Sequence, residues 1–158
     1  MLPRGSRSMV EMSSKGWESC LHNEIPITRD QKIEVIRFDD QCVALKAPLG
    51  ANHNDKGTGF AGSLFSVAVL AGWSQVMRYL AQFSLAGQAV VSRSEVRFVR
   101  PATGDFTARV EPLDGGELAE FQRTLTAKGR ARLRLTIRVS CDAEEVLVLE
   151  GSYAAVTT

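Results

Sequence analysis

The sequence predicts an α+β domain in which a curved antiparallel sheet of about six strands wraps around one long apolar helix. First, the stretch from Gly57 to Met77 contains no charged residue and is apolar on nearly every side of a helix. Second, most of the chain after this stretch alternates apolar and polar residues, which is the period of a strand. Third, the links between these strands are short, which favours antiparallel neighbours.

Composition indicates one globular domain with a small-molecule partner. The chain has 158 residues, of which 44% are hydrophobic and 23% charged, so a single core is expected. A net charge of +1 argues against a nucleic-acid binder. The charge-free stretch is long enough for a membrane span, but its glycines and serines favour a helix buried in protein. We therefore expect neither a nucleic-acid nor a membrane partner.

The cysteines and the first residues bear on the cellular compartment. Cys20, Cys42 and Cys141 are odd in number, far apart and outside any metal-binding spacing, so we expect no disulfide framework, no metal and a cytoplasmic location. Residues 1–9 contain no apolar export signal and resemble a protease-site remnant of an expression vector or a disordered tail. The single domain is then expected to span residues 10–158.

The pattern predicts the elements in chain order. A short helix, capped by Ser13 or Ser14, carries Trp17 and Leu21 on one face and ends before Pro26. The other predicted elements are strands 32–38 and 41–47 across an Asp39–Asp40 turn, the long helix 58–84, strands 88–100 and 105–113 joined as antiparallel neighbours, a helix 117–128 ended by Gly129, and strands 130–141 and 144–156. In strand 130–141 arginines alternate with apolar residues, so one face is predicted to be buried.

The most conspicuous motif is the run GTGFAG at residues 57–62. Its Gly-x-Gly-x-x-Gly spacing is that of dinucleotide-binding turns, which need a strand ending at the first glycine and an acid about 20 residues later. The preceding strand ends near Ala47, and the region 77–82 contains no acid. A phosphate-binding P-loop is excluded because Ser63 and Leu64 stand where Lys and Ser or Thr are needed. The motif therefore does not predict a nucleotide site.

Two interpretations of these glycines remain open. Glycine-rich backbone at a helix N-terminus leaves N–H groups free to bind an anion or a developing oxyanion. Alternatively, Gly57, Gly59 and Gly62 only allow the helix to pack tightly on the sheet. A serine nucleophile is not predicted, because no His and Asp accompany Ser63 or Ser66 in an activating arrangement.

Two segments resemble motifs of the hotdog-fold acyl-CoA thioesterases. The first matches the phenylacetate-type pattern Asn-x-x-Gly-[Ser/Thr]-x-His-Gly-Gly-x-Leu at Asn54, Gly57, Thr58, Gly62 and Leu64. The second match lies at Phe98, Arg100, Pro101, Gly104 and Asp105. With the predicted order of elements, the chain is most similar to the thioesterase-like domain of the YiiD C-terminal type, over roughly residues 15–156.

This resemblance implies a helix wrapped by a curved sheet, homodimers or dimers of dimers that join sheets edge to edge, and active sites at the subunit interface. The loop before the helix and its first turn, including Gly57, Thr58, Gly62 and Ser63, would bind an acyl thioester. The coenzyme A moiety would arrive as part of the substrate, so no separate cofactor is implied. Asn54 takes the position of the Asn or Asp that places the thioester or the attacking water in such enzymes.

Two catalytic groups implied by the resemblance are replaced. Phe60 stands where many relatives carry His, and Val69 stands where phenylacetate-type enzymes carry a helix-borne Asp. Neither side chain can polarise a carbonyl or activate water. Asp55 is then the nearest candidate general base. The alternatives are that Asp55 caps the helix or pairs with Lys56 and that Asn54 forms an Asx turn.

Two serines on the predicted strand 88–100 are further candidates for substrate binding. Ser92 and Ser94 are predicted to share the strand face that meets the helix with Val90, Val96 and Phe98. There they either line an acyl or pantetheine channel or accommodate bulky neighbours.

Basic residues are candidates for the phosphates of coenzyme A. Lys128 and Arg130 either contact those phosphates or belong to a solvated basic face paired with acids such as Glu150. Arg100 is either a phosphate contact or a strand-end anchor.

The sequence thus supports two functions from different classes. One is an acyl-CoA or acyl carrier protein thioesterase, in which water attacks a carbonyl held near the start of the long helix. The other is a non-catalytic acyl-CoA-binding hotdog module, which would work beside an acetyltransferase, since relatives of this type can be fused to one.

Overall fold

The computed structural model describes residues 6–158, with side chains from Ser8 onwards. Six antiparallel strands form one curved sheet in the order β1-β2-β4-β5-β6-β3. The strands are β1 (Glu34–Phe38), β2 (Val43–Ala47), β3 (Gly87–Phe98), β4 (Phe106–Val110), β5 (Arg130–Cys141) and β6 (Glu144–Thr157). The helices are α1 (Ser6–Val10), α2 (Ser14–Glu24), α3 (Ile27–Asp30), α4 (Ala61–Gln82) and α5 (Gly115–Lys128). The predicted α+β architecture is confirmed.

Helix α4 forms the centre of the core and packs against β2, β3, β4, β5 and β6. Because it is apolar nearly all round, 15 of its 22 residues are buried. Within the described residues it has the length and hydropathy of a membrane span, but 78% of its most apolar window is buried inside the fold. This burial identifies it as the core helix of the domain.

A tyrosine of the sheet holds the middle of α4. Tyr153 is fully buried, and its hydroxyl donates to the carbonyl oxygen of Val69 at 2.9 Å. A Cβ atom at Gly72 would lie 2.1 Å from the Tyr153 hydroxyl oxygen, so only glycine allows this approach. Burial also raises the pKa of Tyr153, so the hydroxyl keeps the proton that it donates.

The N-terminal helices cover the face of α4 that the sheet leaves open. Trp17 stacks on Phe38 at 4.7 Å between ring centroids and donates its indole N–H to Ser74 of α4. Ser13 caps α2 as predicted, accepting from the backbone N–H of Gly16. Residues 1–5 of the predicted tail lie outside the described residues, whereas Met9 is buried in the core. Helix α3, after Pro26, has no counterpart in the predicted elements.

The neighbours of β3 differ from the prediction. Strands β3 and β4 run antiparallel but are not adjacent, because the β5–β6 hairpin lies between them. Strand β6 is 14 residues long and pairs with the whole of β3, from Gly87↔Thr157 to Phe98↔Leu147. The short link 99–105 therefore crosses the end of the sheet instead of forming a hairpin. As a result β3 is an edge strand with one paired side.

The helix before β5 and the alternation within β5 are confirmed. Asp114 caps α5 by accepting from the backbone N–H of Glu117 at 2.7 Å, and Gly129 ends the helix with a φ of 68°. The apolar residues of β5 from Leu133 to Val139 are buried, while the arginines between them are exposed.

Candidate active site

The loop 48–60 carries the chain from β2 to the start of α4, and one buried asparagine holds it in place. The side-chain N–H groups of Asn52 donate to the carbonyl oxygens of Pro48 and Gln31, both at 2.8 Å. The backbone carbonyl oxygen of Asn52 accepts from the backbone N–H of Phe60 at 2.8 Å. No sequence signal distinguishes Asn52 from Asn54, because both lie in the same polar run.

Asn54 shapes the tip of this loop. Its side-chain oxygen accepts from the backbone N–H groups of Lys56 at 2.9 Å and Thr58 at 3.1 Å, and its side-chain nitrogen donates to the Thr58 hydroxyl at 2.9 Å. Gly57 lies between them with a φ of 76°, a conformation that favours glycine. Asn54 thus forms the Asx turn that the sequence offered as the alternative to substrate contact.

Asp55 projects from the same turn into solvent. Its carboxylate is 79% exposed and lies 3.0 Å from the ammonium group of Lys56. Asp55 does not cap α4, since the N-cap residue Phe60 is followed by a first turn without a side-chain cap. The carboxylate is therefore accessible to water at the rim of the loop.

The first turn of α4 presents unpaired backbone donors. The first helical hydrogen bond runs from Leu64 N–H to the Phe60 carbonyl oxygen at 3.0 Å. Within residues 6–158, the N–H groups of Ala61, Gly62 and Ser63 have no acceptor. The dipole of a 22-residue helix adds partial positive charge at this end. The arrangement is suited to an oxyanion.

The glycines of the GTGFAG run divide between the two interpretations that the sequence left open. Gly59 packs tightly: its N–H donates to the Ala102 carbonyl oxygen at 2.8 Å, and a Cβ there would lie 3.0 Å from the Ala102 Cβ. Gly62 instead contributes a free N–H group to the helix N-terminus. The ring of Phe60 lies over Gly62, because a Cβ at Gly62 would approach the Phe60 ring to 2.4 Å. Phe60 is 54% exposed, so it covers this end of the helix from the solvent side.

An apolar groove runs along α4 from Ser66, one turn after the helix start, to Trp73. Its volume is about 400 Å³, and it lies between α3, α4 and the start of β3. Gly62, Ser66, Val69 and Trp73 are spaced by four, three and four residues, so they share one helix face. None of its lining residues is titratable; they are Ile25, Ile27, Thr28, Ser66, Val69, Leu70, Trp73, Ala89, Val90 and Val91.

Each polar hydrogen on the side chains that line this groove is donated to the protein. These donors are Ser66 to the side-chain oxygen of Gln31 at 3.2 Å, Thr28 to the carbonyl oxygen of Ile25 at 2.8 Å, and Trp73 to the carbonyl oxygen of Ala89 at 2.8 Å. Ser66 is not predicted from the sequence as a groove residue, and no motif points to Thr28 or Gln31, which lie in and beside the unpredicted helix α3.

The family model described as "Putative thioesterase (yiiD_Cterm)" matches residues 14–157. The chain belongs to this family. The resemblance stated from the two motifs is thereby confirmed, and the family supports thioester hydrolysis as the general class of activity.

Solved structures share the hotdog fold over nearly the whole chain. A Chlorobaculum tepidum protein of unknown function is 29% identical, with a TM-score of 0.86 over 92% of this chain and 94% of its own. A Shewanella oneidensis protein described as a putative thioesterase is 24% identical, with a TM-score of 0.80 over 90% and 96% of the two chains. A Pseudomonas aeruginosa protein described as a probable thioesterase is 20% identical, with a TM-score of 0.80 over 93% and 97%. The last two show the fold alone.

A β-bulge changes the placement of the β3 serines in this family member. The register of β3 against β6 shifts between Val91 and Arg93, so Ser92 lies in the irregularity and donates its hydroxyl to the Ser152 carbonyl oxygen. Ser94 keeps the predicted face with Val96 and Phe98, opposite Gly151, Leu149 and Leu147. Val91, not Val90, joins them, because Val91 pairs with the buried Tyr153. The period-2 prediction for Val90 and Ser92 is wrong because a bulge adds one residue.

The basic residues lie at opposite ends of the sheet. Arg100 is at the end that holds the start of α4, where it pairs with Glu144 at 3.1 Å. Lys128 and Arg130 lie at the start of β5. The last residue of β5, Cys141, lies beside Gly104, and the 12 residues of the strand separate its two ends by about 35 Å. One chain therefore does not bring Lys128 or Arg130 to the start of α4.

The arginines of β5 mostly follow the solvated interpretation. Arg134 pairs with Glu150 at 3.6 Å, and Arg138 pairs with both Glu111 and Glu145. Within the described part of the chain, no cluster of three or more His, Cys, Asp or Glu side chains could hold a metal ion.

Proposed function

We propose that the protein is a cytoplasmic acyl thioesterase acting on coenzyme A or acyl carrier protein thioesters. The carrying observation is that the unpaired N–H groups of Ala61, Gly62 and Ser63 lie about one helical turn before Ser66, where the apolar groove along α4 begins. A thioester with its carbonyl oxygen at these N–H groups would have its acyl chain directed along the groove.

The two parts of this site contribute different energies. An oxyanion donor placed for the transition state is worth about 3 kcal/mol, because it stabilises charge that develops only during the reaction. Burial of each methylene group in the groove contributes about 0.8 kcal/mol to binding. The helix N-terminus therefore supplies rate and the groove supplies affinity.

Water attack needs a general base, and Asp55 is the proposed one. It is exposed, close in sequence to the helix start, and held on a loop whose shape Asn54 fixes through three hydrogen bonds. Asn54 then supports the reaction by positioning the loop and, as the matched motif implies, the thioester or the attacking water. Gly57 and Thr58 belong to the turn that Asn54 forms, and Ser63 belongs to the first turn of α4.

The free edge of β3 supports a homodimer as part of the proposal. This strand is 12 residues long, pairs on one side only, and exposes apolar side chains including Val91 and Phe98. A long unpaired edge is a surface that proteins normally cover. A second copy paired on β3 would complete the groove wall at Val91 and bring residues such as Ser94 and the partner's basic residues to the interface. Arg100 is the proposed phosphate contact from the same chain.

The proposal is tested by release of free thiol from a panel of acyl-CoAs and acyl carrier proteins. The variants Asn54→Ala and Asp55→Asn are compared with wild type, and Asn23→Ala and Asp40→Asn serve as matched exposed controls. A general base contributes about 10²–10⁴ in rate, so Asp55→Asn is expected to lose at least a hundredfold. Asn54→Asp keeps the acceptor of the Asx turn and is expected to retain more activity than Asn54→Ala. No turnover of any thioester by wild type would refute the function, and unchanged rates in both variants would refute the assigned residues.

The dimer is tested separately by sedimentation of wild type and Phe98→Lys. A second copy on β3 predicts a dimer for wild type and a monomer with reduced thioesterase activity for the variant. A monomeric wild type with full activity would contradict the interface.

A non-catalytic acyl-CoA-binding module is the second candidate function. It is favoured by one observation: the residues lining the groove include no acid or base, with Val69 at the position of the helix-borne Asp. Coenzyme A or an acyl-CoA that raises the melting temperature without any thiol release would favour it. Co-purification with an acetyltransferase would then identify its working partner.

A further inference from the structure

The groove beside α4 offers a ligand acceptors but no side-chain donors. Among its described lining residues, the side-chain polar hydrogens are those of Ser66, Thr28 and Trp73, and all three are donated to protein oxygens. The hydroxyl oxygens of Ser66 and Thr28 keep lone pairs after donating. The remaining lining side chains are apolar.

We propose that this groove selects acyl chains by hydrogen-bond polarity: it accepts saturated and hydroxylated chains and discriminates against chains that carry an oxo group or a carboxylate. The proposal rests on the thioesterase function proposed above. A carbonyl oxygen moved from water into the groove loses its hydrogen bonds and finds no side-chain donor in return. Such a loss lowers affinity by about tenfold to a hundredfold.

Ser66 lies where the first carbons of the chain would pass. It follows Gly62 by four residues, which is about 6 Å along the helix axis. Helical side chains lean towards the N-terminus, so the Ser66 hydroxyl is displaced towards the thioester end of the groove. A hydroxyl on the third carbon can donate to the Ser66 oxygen, whereas an oxo group at that carbon meets only lone pairs.

Gln31 is the positioning residue of this selectivity. It is 9% exposed, and its side-chain oxygen holds the Ser66 proton outside the groove. Gln31→Leu conserves the approximate size of the side chain but removes this acceptor. The Ser66 hydroxyl is then free to rotate and donate into the groove, so the variant should tolerate the oxo chain better than wild type.

The test compares octanoyl-CoA, 3-hydroxyoctanoyl-CoA and 3-oxooctanoyl-CoA by kcat/KM and by dissociation constants from calorimetry. Wild type is expected to favour octanoyl-CoA over 3-oxooctanoyl-CoA by at least tenfold and to bind 3-hydroxyoctanoyl-CoA at least as well as octanoyl-CoA. Gln31→Leu is expected to reduce the discrimination against the oxo chain by about fivefold or more, and Gln31→Leu with Ser66→Ala should restore it. Gln122→Leu, the same change on the exposed face of α5, should keep the wild-type ratios.

A second variant keeps the test independent of how Gln31→Leu folds. Ser66→Ala alone removes the acceptor and should abolish any preference for the hydroxylated chain over the saturated one. Equal affinity of wild type for octanoyl-CoA and 3-oxooctanoyl-CoA, or an unchanged ratio in both variants, would overturn the selectivity while leaving the thioesterase intact. If none of the three ligands binds or reacts, both this selectivity and the proposed function are refuted.

Discussion

The middle and the N-terminal end of α4 belong to one helix but are held in opposite ways. At the middle, Gly72 lies against the buried Tyr153, whose hydroxyl donates to the Val69 carbonyl. At the N-terminal end, Gly62 lies under the exposed ring of Phe60, and its backbone N–H has no acceptor within residues 6–158. The difference shows how the fold can leave polar groups unpaired at one end: the other contacts of the helix fix its position.

The largest expected effect on stability comes from adding a methyl group at Gly72, in the middle of α4. Gly72→Ala would place Cβ 2.1 Å from the Tyr153 hydroxyl oxygen, so the buried ring must move and its hydrogen bond is lost. Overpacking of this kind costs about 1–3 kcal/mol and the lost hydrogen bond about 1 kcal/mol more, against a gain of roughly 1 kcal/mol in helix propensity from alanine. We expect a net loss of about 2 kcal/mol in the free energy of unfolding, measured by urea denaturation. Stability equal to or above that of wild type would contradict a tight contact between Tyr153 and Gly72.

Removal of the hydroxyl alone has a smaller expected effect. Tyr153→Phe keeps the ring but leaves Val69 without its side-chain donor, which costs about 1 kcal/mol for a neutral hydrogen bond. Thermal unfolding of the variant should show a lowered midpoint. In the double variant Gly72→Ala with Tyr153→Phe, the second substitution should destabilise the protein less than it does in wild type. Full additivity of the two changes would show that they do not act through one contact.

The matched glycine substitution at the open end should leave stability nearly unchanged. In Gly62→Ala the new Cβ meets the Phe60 ring, which is exposed and can rotate away. The helix propensity of alanine then offsets the displacement, and we expect a stability change within about 1 kcal/mol. Thioester hydrolysis should fall nevertheless, because the added methyl group narrows the approach to the free N–H groups. A loss of stability as large as in Gly72→Ala would mean that the two ends are equally constrained.

The smallest expected effect concerns Glu18 of helix α2, one of the N-terminal helices that pack over α4. Burial alone would raise the pKa of Glu18, but hydrogen bonds from the Val35 backbone N–H and from Lys15 hold the pKa below its ordinary value of 4.5. Because the folded-state pKa is depressed, the stabilisation is present above the unfolded-state pKa and is lost as pH falls through the folded-state pKa. Glu18→Gln should therefore flatten the acid side of the stability profile. An unchanged acid limb would contradict this linkage.

Features that a local residue pattern alone decides are predicted correctly from the sequence. The alternation in β5, the cap Ser13 and the helix end at Gly129 depend on local geometry, so their predicted roles are confirmed. The adjacency of β3 and β4 was wrong, because a short link limits the direction of a strand and not its neighbour. The bulge at Ser92 likewise arises from pairing with β6, which no local pattern reports.

The GTGFAG run shows the same division at the candidate site. The sequence by itself determined that a glycine-rich turn opens a long apolar helix, because period, charge and glycine content are local properties. Only the tertiary structure decided that Gly59 packs on Ala102, that Gly62 keeps a free N–H, and that Asn54 shapes its own loop. The tertiary structure also places Thr28 and Gln31 beside Ser66 at the groove. Residues so distant in the chain meet only once α3, α4 and β3 have packed together.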